Sequence, residues 1–98
     1  MNDKIRNGDL DRLFEGILAL RDVDECYRFF DDLMTVNEIK AFEQRFTVAI
    51  MLAKNHHYSE IVSATGASSA TVSRVNRSLN YGSDGYKLIL ERLGMAKS

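Results

Sequence analysis

The chain has 98 residues, 45% of them apolar, and a formal net charge of −1, which reads as one globular domain over residues 1–98. On its own a domain of this size buries only about two-thirds of its unfolded surface. No apolar run reaches the roughly 18 residues of a membrane span, and the opening MNDKIRNGDLD is too polar for a secretory leader, so a cytoplasmic protein without membrane contact is expected. Cys26 is the single cysteine; it has no partner for a disulfide or a zinc site and reads as a small core hydrophobe.

The absence of proline and the scattered single glycines predict an all-α chain. Between Asp9 and Leu20, the residues Leu10, Leu13, Phe14, Ile17 and Leu18 repeat as one face of a helix. Asp22 is placed to cap a second helix with Glu25 as its capping-box partner, and Val23, Cys26, Tyr27, Phe30 and Leu33 form its stripe. Thr35 and Glu38 make a second capping box. It opens a long helix through Ala53, with Ile39, Phe42, Phe46, Ala49, Ile50 and Ala53 on one stripe and Val48, Met51 and Leu52 widening it. A helix apolar on more than one face needs more than one neighbour, and the same helix of a second subunit supplies one. After Lys54, Asn55, His56 and His57 come two short helices around Gly66. The stretch from Gly82 to Gly85 breaks the pattern, and Tyr86, Ile89, Leu90 and Leu93 then repeat helically up to Gly94. Six helices and a homodimer are expected, with residues 1–7 and 95–98 frayed.

Residues 1–34 carry 5 basic and 9 acidic side chains and residues 35–98 carry 8 and 5, so a polyanion should meet the second part. Enzyme chemistry finds little support. His56 and His57 are adjacent, about 100° apart on a helix, and cannot share a metal at helical spacing; Asp24 with Glu25 and Asp31 with Asp32 sit at helix ends, where they cap or solvate. No catalytic group, metal site or cofactor is expected.

The informative stretch runs from Tyr58 to Leu79. A helix-turn-helix needs two short helices held at a steep angle around a glycine in the tight turn. Ile61, Val62 and Thr65 face inward from the first helix, Gly66 makes the turn, Ala67 follows, and Val72, Val75 and Leu79 form the inner stripe of the second. Ser68, Ser69, Ala70, Ser73, Arg74 and Arg77 then face outward, a short-side-chain surface that a major groove admits, and Ser59 and Thr71 complete the set expected against DNA. No acidic residue lies between Ile61 and Tyr81, so nothing there repels a phosphate backbone. The rival is a helical protein-interaction module without direct DNA readout, which the slightly negative net charge favours.

From about Asp32 to Leu79 the sequence resembles the tryptophan repressor family, and within it the YerC/YecD-type branch. The residues that carry this are Leu33, Met34, Thr35, Val36, Asn37 and Glu38, then Arg45, then Ala70, Thr71, Val72, Ser73 and Arg74, then Ser78 and Leu79. The resemblance implies a bacterial transcription regulator, a repressor, built as an intertwined homodimer of six-helix chains that binds double-stranded DNA. It also implies a corepressor site between the third helix and the recognition helix, where two arginines flank tryptophan with a threonine and a serine nearby; the matching positions are Arg45, Arg74, Thr35 and Ser78. From the residues alone, Thr35 is equally a helix cap and Arg45 equally an ion-pair partner of Glu38 or Glu43. The departure is Val75, which follows Arg74 where the repressor proper has glycine. A branched side chain there narrows the space for an indole, so tryptophan is not expected as corepressor, while a smaller carboxylate or amino acid is compatible with the two arginines.

Overall fold

Helices start in this chain where a side chain can accept the N–H groups that the first turn leaves free. The structure is a computed structural model that describes residues 5–95. Helix α1 (Gly8–Leu18) is capped by Asn7, whose Oδ1 accepts the N–H of Leu10 at 2.8 Å. Asn7 is thus an ordered cap rather than part of a frayed end; the fraying expected for residues 1–4 and 96–98 lies outside the described residues. Asp22 caps α2 (Val23–Leu33) through the N–H of Glu25 at 2.8 Å. The Glu25 carboxylate reaches back one residue further than a capping box requires and accepts the N–H of Arg21. At α3 (Val36–Ala53) the box is reciprocal: Glu38 N–H donates to Thr35 Oγ1 at 3.2 Å and Thr35 N–H to Glu38 Oε1 at 2.8 Å. Three further helices follow, α4 (Tyr58–Thr65), α5 (Ser69–Tyr81) and α6 (Gly85–Arg92), and no strand occurs among the described residues.

The chain divides into two compact units, Met1–Ile39 and Lys40–Ser98. In the first, α1 and α2 contain no buried residue. Their apolar stripes are present as the periodicity predicts, yet Leu18 is 84% and Tyr27 75% exposed. In the second, Val48 and Ala49 of α3, Ile61 of α4, Ala67 of the turn and Val72 and Val75 of α5 make one buried cluster, with Met51, Leu52, Val62 and Tyr86 packed against it. Burying each of the larger of these side chains contributes roughly 1.5 to 3 kcal/mol. The face of α3 that meets this core joins Ala49 of the main stripe to Val48, Met51 and Leu52 of the widening set, whereas Phe42 on the main stripe stays 53% exposed. Among the described residues no helix is long and apolar enough to cross a membrane.

Candidate nucleic-acid interface

The helix-turn-helix is assembled from short-range bonds around Gly66. That residue sits at φ 71° and its N–H closes α4 on Val62 O at 2.9 Å, a left-handed geometry that glycine adopts without a Cβ penalty. The Thr65 hydroxyl donates to Ile61 O at 2.7 Å and accepts the N–H of Ala67 at 3.1 Å, so one side chain spans the turn. Gln44 of α3 donates from Nε2 to Thr65 O at 3.2 Å and ties the turn to the long helix. Beneath it, Ile61, Ala67, Val72, Val75 and Leu79 are buried, as the inward pattern predicts.

Of the residues expected against DNA, Ser59, Ser68, Ser69, Ala70, Ser73, Arg74 and Arg77 are exposed and Thr71 is half-buried. Two of the hydroxyls have another task. Ser68 caps α5, accepting the N–H of Thr71 at 3.1 Å and donating to Thr71 Oγ1 at 3.0 Å. Ser69, Ala70, Ser73, Arg74 and Arg77 remain as an open, uncapped surface of small side chains and two cations. Among the described residues neither arginine pairs with a carboxylate, and α5 has no acidic residue in its first turn.

Behind that surface lies a cavity of about 370 Å³, lined by Ala41, Gln44, Arg45, Thr71, Arg74, Val75, Ser78 and Tyr86. It therefore brings together Arg45, Arg74 and Ser78, with Val75 on its wall. Thr35 belongs to the N-terminal unit, where it caps α3. Arg45 pairs with no carboxylate among the described residues; its Nε donates to Ala41 O at 3.2 Å and its guanidinium lies 5.2 Å from the Phe42 ring centroid, a cation–π distance. Sequence reasoning missed Gln44 and Tyr86 as lining residues and placed Thr71 only on the DNA side. A polar residue one turn before Val48 on α3, and an aromatic with a polar tip at the start of α6, were the available signals.

Two carboxylates beside helix starts are held below the usual value of 4.5. The Thr35 N–H, then its hydroxyl, favours ionised Glu38, and the His57 N–H, 2.9 Å from Oε1, favours ionised Glu60. His56 stands 3.6 Å from the same Glu60 carboxylate. The two histidines thus sit at the start of α4, and among the described residues no group of three or more His, Cys, Asp or Glu could hold a metal.

The profile of a family described as Trp repressor protein matches residues 8–94. The chain belongs to the Trp repressor family. Protein YerC of Bacillus subtilis (strain 168), itself uncharacterised, is 55% identical over 91 residues, covering 93% of this chain and 88% of YerC. The crystal structure of a TrpR-like protein from Eubacterium eligens ATCC 27750 superposes with a TM-score of 0.93 at 52% identity, covering 99% of this chain and 100% of the other. A candidate Trp repressor from Staphylococcus aureus gives 0.93 at 47% identity, over 100% and 99%. This Trp repressor family member accordingly has six helices among the described residues, and its α4 and α5 form the helix-turn-helix of a family of DNA-binding regulators.

Proposed function

We propose that this Trp repressor family member is a cytoplasmic, sequence-specific repressor that acts by binding rather than by catalysis. It docks α5 in the major groove of duplex DNA as an intertwined homodimer. The observation that carries this reading is the outer face of α5, where Ser69, Ala70, Ser73, Arg74 and Arg77 are exposed together with no acid among them. Short side chains let the helix approach base edges, the arginines reach phosphate or guanine, and Ala70 offers a methyl to thymine. Ser59 at the start of α4 and Ser68 and Thr71 at the start of α5 complete the contact set from the motif's other edge. Residues 1–98 act as one domain, with the motif over about 58–79.

The cavity behind α5 is the ligand site in this reading. Arg45 and Arg74 favour a carboxylate, with Ser78 beside them. Val75 restricts the space next to the carboxylate, so the ligand is a small acid or amino acid and not tryptophan. Arg74 belongs to both surfaces, which gives a bound acid a direct route to the DNA-facing side.

The test is anisotropy titration of a duplex recovered by binding-site selection. Arg74→Ala should weaken binding by about 1 to 3 kcal/mol, whereas Lys87→Ala on α6 should leave it unchanged. Equal losses would show diffuse electrostatic binding, and the absence of duplex binding by the intact protein would favour the protein-interaction module.

A further inference from the structure

We infer that Gln44 is a positioning residue that sets the angle at which the helix-turn-helix stands on α3, so that the protein reads DNA without needing an acid in the cavity behind α5. The inference rests on the reading of α5 as the recognition helix. Gln44 Nε2 donates to Thr65 O at 3.2 Å, across 21 positions of the chain and partly shielded from solvent. Among the described residues from 40 to 95, the other hydrogen bonds join positions at most five apart. Val48 and Ala49 also join α3 to Ile61, Ala67, Val72 and Val75, but apolar burial is non-directional. A hydrogen bond weakens steeply as its angle closes, so Gln44 supplies the directional restraint that packing lacks.

The acceptor stands where such a restraint is passed on. Thr65 is the last residue of α4, and its carbonyl is one that the helix end leaves without an internal partner. The hydroxyl of the same residue bridges Ile61 O and the Ala67 N–H, and Gly66 turns left-handed directly after it at φ 71°. Ala67 is followed by Ser68, the cap from which α5 starts. Fixing the Thr65 carbonyl therefore fixes where α5 begins. Reading base edges depends on how α5 lies in the groove, whereas attraction to phosphates carries no sequence information. Both partners of the bond belong to the chain, so an acid held by Arg45 and Arg74 adjusts DNA affinity rather than creating it.

A duplex recovered by binding-site selection and a scrambled duplex of equal length, titrated by fluorescence anisotropy with protein dialysed free of small acids, test this. Wild type should prefer the selected duplex with or without added isobutyrate. Gln44→Met keeps the length and removes the donor; it should bind the selected duplex about three- to tenfold more weakly, as the loss of one neutral hydrogen bond allows. The scrambled duplex should change less than about twofold. Gln44→Lys restores a donor and should regain most of the selected-to-scrambled ratio. Gln44→Glu, polar and without a donor at neutral pH, should repeat the loss and replaces the methionine variant if that folds poorly. An unchanged ratio in a folded methionine or glutamate variant, even with a lowered urea midpoint, shows a bond that serves stability alone and overturns the role of Gln44. A ratio that lysine leaves as low as methionine does so too. Preference that appears only with isobutyrate overturns the independence from a bound acid. No preference by wild type under either condition overturns the reading of α5 along with the inference.

Discussion

The hydroxyl of Ser68 illustrates how a residue chosen for a groove can be spent on the helix that enters it. It both accepts from and donates to Thr71, which leaves Ser69 and Ser73 as the less committed serines of the outer face. A cap of this kind stabilises by about 1 kcal/mol, most of which glycine retains. Ser68→Ala should therefore lower unfolding stability in urea by about 1 kcal/mol and Ser68→Gly by only a few tenths. An alanine variant as stable as wild type would show that the cap is idle and free the hydroxyl for DNA. Val75 works the other way. It is 2% exposed, serves the core and the cavity wall at once, and so ties ligand size to the packing of the recognition helix.

At the scale of the helices, acidic reach-back at their starts links fold to pH. Glu38 and Glu60 both have folded values lowered below 4.5 by N–H donors. The stability they contribute is fully present above that ordinary value and is lost as pH falls through the lowered one. Glu38→Gln should lose less stability than wild type between neutral pH and acid, measured by urea denaturation across the range, because one of the titrating caps is gone; parallel losses would show that the Thr35 cap does not contribute. These same elements show what the sequence could and could not tell. The Thr35 box and the inner stripe of α5 were legible because both are set by spacing within one helix. Glu25 was legible as a cap partner but not as a partner of Arg21 N–H, since spacing fixes reach and not the final rotamer. The stripe of α3 was legible, but not that Val48 would face the core while Phe42 stayed half open. Gln44 and Tyr86 were missed at the cavity because it is made by α3, α5 and α6 converging, and a one-helix pattern carries no such information.

For the whole molecule, the apolar stripes of α1 and α2 carry the argument for pairing. Leu18 and Tyr27 lie mostly in solvent in the single chain, and covering such side chains contributes roughly 1.5 to 3 kcal/mol each, enough to make folding and association one event. The charge asymmetry along the chain puts the helix-turn-helix in its more basic part, residues 35–98. Two recognition helices related by a dyad should read two half-sites about one DNA turn apart, ~34–36 Å. The most direct measurement is selection of binding sites from random duplexes by the intact protein, repeated with Arg74→Ala. The predicted result is a dyad-symmetric consensus with that half-site spacing, enriched by wild type and not by the variant. An asymmetric consensus, or no enrichment over the starting pool, would contradict the proposed paired helix-turn-helix repressor.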